Sequence, residues 1–474
     1  MIMQYSVVNY KTVRENSDFR IDAEYYHPAV LRRLNLLDNK HNDLLGNLVK
    51  FVVGPFGSTV TVDKYVDQSE YRYIRNKDIN GFVIGDDAPA LIPKSVYESL
   101  KQFHIQKNDL LITVVGTLGK VAIAQDKDTH SIFSCKSTLL RPEKINPYYL
   151  LTYLNSQTGQ VFSLRGKRGA IQEGLNKSDL EEIRVFLASP EFQNQIEELV
   201  KKSFYLINKS KILYCQAEQL IISALGLSDL KPKHELTFVK NFSDIRNAER
   251  FDAEYFKPEY EKIIDAVKKY KDGFNELGNL VKIKKGVEPG SEVYQESGVP
   301  FVRVSNLSKF EISDNNQQFI SEELYNELKI HQPKKGEILL SKDATPGIAY
   351  YLNEKTQKMI VSGGILRLKI DSQQVLPEYL TLVLNSAIIQ KQIERETGGS
   401  IINHWRPDQV KTAIIPILKS DKQKEIKELI EKSFNYRRLS KSLLEISKRG
   451  IEMAIEKTEK EAEEWIKMSQ TTGG

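Results

Sequence analysis

The chain has 474 residues, 40% hydrophobic and 28% charged, with a net charge of +5 and a pI near 8.7. That composition suits a protein of several soluble domains and excludes a uniformly basic nucleic-acid binder, so such a role would rest on local patches. The only cysteines, Cys135 and Cys215, exclude a disulfide framework and zinc spacing, and without a signal peptide or an apolar run of about 18 residues the protein is expected in the cytoplasm.

In chain order, a polar opening leads to a helix expected over 23–37, started by the acidic Asp22 and Glu24. A strand and a turn bearing Gly54, Gly57 and Ser58 follow over 49–58. A short apolar strand carries Arg75 into the polar loop 76–80. Residues 107–115 read as a strand behind a polar turn, running into a second turn at 116–119. Another strand ends at Arg141, and 147–155 reads as an apolar helix with Pro147 in its first turn. A glycine-rich loop, 165–174, and a short strand, 183–187, then feed a long helix from Ser189.

That helix carries a seven-residue repeat. One seam holds Ile196, Ser203, Ser210, Ala217 and Ala224; three residues on lie Leu199, Leu206, Leu213, Leu220 and Leu227. Such a repeat keeps one stripe against a partner helix, and the small residues let two backbones come close. The partner recurs in the same chain: Ile426, Ser433, Ser440, Ser447 and Ala454, with Leu429, Tyr436, Leu443, Gly450 and Lys457 three residues on.

The whole order recurs with it. Arg20-Ile-Asp-Ala-Glu-Tyr returns as Arg250-Phe-Asp-Ala-Glu-Tyr, Leu45-Gly-Asn-Leu-Val-Lys as Leu277-Gly-Asn-Leu-Val-Lys, and Asn155-Ser156 as Asn385-Ser386, at offsets of 228 to 232. Strands dominate each globular part, with helices beside them, so the class is α+β, mostly β with flanking helices. The expected organisation is a globular domain at 1–188 and a helix at 189–230. A second globular domain follows at 231–419, then a helix at 420–469 and a disordered tail at 470–474. The two helices are expected to pair as a coiled coil, giving a pseudo-two-fold internal repeat.

Catalytic motifs are missing. Asn146-Pro147-Tyr148-Tyr149 falls one proline short of an amino-methyltransferase motif and reads as a helix start. Gly54–Gly57 lacks the ending of a phosphate loop. Acids Asp252 and Glu254 repeat the helix-start role, and the Lys/Glu-rich end reads as a solvated face. What remains are basic and polar loops, duplicated but divergent. Candidate DNA contacts are Arg75, Asn76, Lys77, Lys120, Arg165, Lys167 and Arg168 in the first half. Those of the second are Arg303, Ser305, Asn306, Lys342, Asn403, Trp405 and Arg406, with Arg395 and His404 beside them. No catalytic or metal-binding residue is expected.

At this point the chain resembles the specificity (S) subunit of type I restriction-modification systems. The resemblance rests on the doubled Leu-Gly-Asn-Leu-Val with its glycine turn, Val299-Pro-Phe-Val-Arg303, Lys335-Gly-Glu-Ile-Leu-Leu-Ser341, Pro377-Glu-Tyr-Leu380, the loop at Gly399-Ser-Ile401, and the long helices. It implies two target-recognition domains, each reading half of a split double-stranded DNA site, and antiparallel helices that set the spacer. It also implies two methyltransferase (M) subunits docked on this chain and restriction (R) subunits that join to cleave, with S-adenosylmethionine and ATP on those partners and no cofactor here. Alternatives are the specificity subunit of a related system with fused methylase and nuclease, and a coiled-coil scaffold that does not read DNA.

Overall fold

The computed structural model describes residues 6–15, 19–169, 173–228, 237–354, 357–397 and 404–472. Runs of Val, Ile and Leu bounded by turn residues build the sheets. Leu110–Thr113, Val121–Ile123 and Ser137–Pro142 pair antiparallel, and Val49–Val53 adds to the outer side of Ser137–Pro142. Phe82–Val83 completes a five-stranded sheet, parallel to Val121–Ile123. Every residue of Leu110–Thr113 is buried, as a strand covered on both faces requires. A three-stranded sheet orders Ala90–Ile92, Tyr71–Ile74 and Ser131–Phe133, and a ribbon pairs Asn42–Leu44 with Arg184–Phe186.

The second half repeats this topology. Val281–Lys285, Ile365–Ile370, Glu337–Ser341 and Ala349–Tyr351 make a four-stranded sheet. Gln318–Ile320, Val299–Val302 and Ile360–Val361 make a three-stranded one, and Phe274–Glu276 pairs with Ile414–Pro416. The strand Phe82–Val83 has no counterpart among the described residues. Matched details recur inside the sheets. Arg141 holds Asp109 at 2.7 Å, and Arg367 holds Glu337 at 2.8 Å. The Tyr149 hydroxyl donates to the Phe186 carbonyl at 2.8 Å, and that of Tyr379 to Pro416 at 2.7 Å.

Pro147–Asn155 is a helix, as is its copy Pro377–Asn385. Asn146 caps the first: its side-chain oxygen accepts from the amides of Tyr148 and Tyr149, the role of a helix start. Each is followed by a second helix, Gln157–Arg165 or Ala387–Thr397. The opening helices differ from expectation. They run Pro28–Asp38 and Pro258–Lys268, each with proline in the first turn, and Asp22 lies well before the first.

The long helices are Pro190–Ala224 and Ser420–Glu456. The chain divides midway through both: one compact unit comprises Met1–Ile207 with Arg438–Gly474, the other Asn208–Arg437. Each of these units therefore contains part of both helices. In the first unit Ser203 Oγ lies 2.8 Å from Ser440 Oγ and 3.0 Å from the Ser440 carbonyl. In the second, Ser210 Oγ lies 2.9 Å from Ser433 Oγ, which donates to the Ser210 carbonyl at 2.8 Å. Partner numbers fall on one helix as they rise on the other, so the pairing is antiparallel. Ile196, Ser203, Ser210, Ala217, Ile426, Ser433, Ser440 and Ser447 are buried, with Leu199 and Leu443. Leu206, Leu213, Leu220, Leu429 and Tyr436 are half-buried.

The seams stop sooner than the sequence pattern. Ala224 is exposed, and Gly226, at φ 67°, turns the chain so that Leu225 and Leu227 enter the second unit's core. The second long helix ends at Glu456, and a separate helix, Glu459–Thr472, follows where one continuous helix to 469 was expected. Its Ile466 lies against Gly450, where a side-chain carbon would come within 2.6 Å of Ile466 Cδ1. The seam glycine thus admits a neighbour, and Lys457 leaves the seam. Residues 470–472 are helical rather than a loose tail; 473–474 lie outside the described residues, as do 229–236, where the second globular domain was expected to begin.

Candidate nucleic-acid interface

In the first unit the strand register gathers five loops at one end of the larger sheet. Val53 faces Thr138 and Thr113 faces Ser137, so the turn after Val53, the turn after Thr113 and the segment before Ser137 share an edge. Gly54 is pinned there, since a side chain on it would collide with the Ser134 carbonyl. The Val114 amide donates to the Lys136 carbonyl at 2.9 Å. Asn76 Nδ2 donates to the Val115 carbonyl at 3.0 Å, and Val115 bridges Gly174. Exposed on this cluster are Phe56, Lys77, Thr117 and Lys136.

The second unit builds the same cluster. Lys285 faces Leu366 and Ser341 faces Ile365. Gly286 is pinned on Ser362, and the Glu288 carboxylate accepts from the Gly363 amide at 2.8 Å. The Lys342 amide donates to the Gly364 carbonyl at 2.9 Å, and its own carbonyl accepts from Trp405 N at 2.8 Å. His404 Nδ1 meets Asp343 at 2.9 Å. Exposed here are Glu288, Ser305, Thr345, His404 and Arg406. One scaffold thus presents an aromatic and lysines in one copy, and an acid, hydroxyls and His/Arg in the other.

The candidates from sequence divide accordingly. Lys77, Ser305 and Arg406 face solvent. Asn306 does not: it is 1% exposed, its amide donates to the carbonyls of Ser313 and Asn315, and its oxygen accepts from Arg303 N. Trp405, 1% exposed, is a core residue of the second unit, its backbone rather than its ring serving the cluster. Asn76 is an internal strut. Arg75 is held by Asp78 at 3.0 Å, Arg303 by the Asn316 carbonyl at 2.6 Å, and Lys342 leans on Asp343. Lys120, half-buried, lies beyond the turn and donates its backbone N–H to Thr113 Oγ1 at 2.9 Å. Asn403 lies outside the described residues.

Arg165, Lys167 and Arg168 serve the domain itself. Arg165 lies 3.7 Å over the Tyr25 ring and donates to the Tyr25 carbonyl at 3.1 Å; burial pushes its guanidinium below the usual value. Arg20, paired with Asp22 at 2.8 Å, stacks on the same ring at 4.6 Å. Arg250, Asp252, Tyr255 and Arg395 repeat the arrangement, with Arg395 at 4.1 Å from its ring. The repeated Arg-x-Asp-Ala-Glu-Tyr motif is therefore a clasp on the helix ending near Arg165 or Arg395. Lys167 pairs with Glu173 at 2.8 Å and Arg168 with Asp179, the contact between Arg168 Nε and the nearer carboxylate oxygen being 3.0 Å.

Phe56, Thr117, Lys136, Glu288 and Thr345 escaped the sequence reading. A signal existed for Lys136: it sits in the short turn between two apolar strands, Ser131–Phe133 and Ser137–Pro142.

The profile of the type I restriction modification DNA specificity domain matches twice, over residues 56–218 and 271–447, once on each repeat. The MjaX type I restriction enzyme specificity subunit of Methanocaldococcus jannaschii is 25% identical over 401 residues, 80% of this chain and 87% of that protein. The EcoBI specificity subunit of Escherichia coli is 28% identical over 132 residues, 28% of each chain. A crystal structure of a type I system S subunit from M. genitalium covers 88% of this chain and 96% of its own, at 14% identity and a TM-score of 0.41, a likeness too loose to argue from.

Proposed function

The chain belongs to the type I restriction-modification DNA specificity family, and from that premise we propose that it is the DNA-reading subunit of such a complex, each repeat reading one half of a split site. The observation that carries this is the loop cluster built twice on one strand register, with different exposed side chains each time. A shared scaffold with divergent loops is what two readers of two sequences need. Lys77, Lys136 and Arg406 suit phosphates; Ser305, Thr117, Thr345, His404 and Arg406 suit base edges. The paired long helices set the spacer and offer their outer faces to two methyltransferase subunits. Restriction subunits join that assembly in the cytoplasm. S-adenosylmethionine and ATP belong to the partners, and this chain alone transfers no methyl group.

The test uses the chain assembled with its methyltransferase subunits. Alanine at Ser305, His404 and Arg406 together should weaken or alter recognition of one half-site and leave the sequence read by the other half unchanged. Competition by duplexes altered in either half reads this out. Equal loss at both halves, or at neither, contradicts the assignment.

A further inference from the structure

Phe56 is 86% exposed, yet its turn is not loose. Pro55 before it is buried, Gly54 is seated on the Ser134 and Cys135 backbone, and the Thr59 amide donates to the Phe56 carbonyl at 2.8 Å. A phenyl ring held out into water by an anchored turn has no role in the domain's own core. Its surroundings state what it would meet. Lys136 follows the Cys135 on which the turn rests, and Lys77 follows the Asn76 strut on Val115; both lysines are exposed. An apolar tip on a loop cluster that also carries exposed cations matches a duplex groove, where phosphates flank base edges and the thymine 5-methyl is the apolar group on offer in the major groove. The second repeat cannot do the same, because its turn offers Glu288, tied to the Gly363 amide.

We propose that Phe56 is a specificity-determining residue of the first domain, selecting thymine at one position of its half-site by contact with the 5-methyl group. The inference rests on the reading of the chain as a two-domain DNA reader. Replacing thymine by deoxyuridine removes that methyl and nothing else, so the contact can be isolated. Once the site is known, each thymine of both half-sites, in either strand, is changed singly to deoxyuridine, and binding by the complex with its methyltransferase subunits is measured by competition. The wild type should lose about fourfold at one position in one half-site, the worth of one buried methyl-sized group. Phe56→Ala should bind the thymine and deoxyuridine duplexes there alike, while Phe56→Leu should keep part of the preference. Unchanged affinity for the other half-site certifies that the variants are folded and assembled. The inference is overturned if no deoxyuridine weakens the wild type, if Phe56→Ala keeps the full discrimination, or if neither half-site contains thymine. Failure of the two-domain reading looks different: there would be no split site to scan.

Discussion

Replacing Ser203 with leucine tests whether the serine seam is a packed interface. Ser203 is fully buried in the first unit and its hydroxyl meets both the hydroxyl and the carbonyl of Ser440, at 2.8 and 3.0 Å. Leucine would overpack that layer, at about 1–3 kcal/mol. It would also strand the Ser440 hydroxyl, at about 1–3 kcal/mol. Partial relaxation makes the two less than additive, so about 2–4 kcal/mol is expected, a large share of a typical domain's roughly 5–15 kcal/mol. Taking a urea m value near 3 kcal/mol/M, the midpoint should fall by about 1 M. The two tryptophans report the units separately: Trp465 packs against the first unit's core and Trp405 lies within the second's. The Ser203→Leu shift should be read by Trp465, and that of Ser210→Leu by Trp405. Removing both partners, as Ser203→Ala with Ser440→Ala, should cost within about 1 kcal/mol, because no polar atom is then left alone. An unchanged midpoint for Ser203→Leu would refute the claim that the seam is buried and close-packed.

The remaining predictions concern the spacer, the electrostatics and the core. Deleting residues 203–209 with the facing 434–440, bracketed by the pairs Ser203–Ser440 and Ser210–Ser433, removes about 10.5 Å of helix. The DNA spacer should shorten by about three base pairs while both half-sequences stay the same; modification at the original spacing would show that the helices do not set it. Lys77→Glu with Lys136→Glu should lower the log–log salt slope of binding by about 1.8, at about 0.9 per phosphate contact, and an unaltered slope would place the interface elsewhere. Arg367→Met should cost about 3–5 kcal/mol in a denaturant melt, because it leaves Glu337 charged and buried; a cost under about 1 kcal/mol would mean that Glu337 finds water.

The repeat, the seams and the proline-led helix at Pro147 were legible because each is a periodic or local signal. Side-chain partnerships were not. The sequence shows Arg165 and Arg168 beside glycines, which suggests a basic loop. It does not show that Arg165 meets Tyr25, 140 positions away, or that Arg168 meets Asp179 on the short helix Lys177–Glu181. Asn306 and Trp405 look like readers by residue type and are consumed by the loop backbone and the core. Gly450 falls in the heptad pattern as one more seam position, and its meaning came from Ile466, carried back by a helix that the pattern ran straight through. Phe56 gains its place only from strand register, which brings separate turns to one edge; for Lys136 the turn between apolar strands was a signal, but the loops it joins were not.

The central claim is that two different readers share this chain. Methylation-sensitive sequencing of DNA from a host carrying this gene with its methyltransferase partner, against the same host without the gene, tests it most directly. The account predicts a chain-dependent methylated motif of two short, unlike half-sequences separated by a fixed spacer of unspecified bases. A single uninterrupted motif, or methylation that does not depend on this chain, would contradict it.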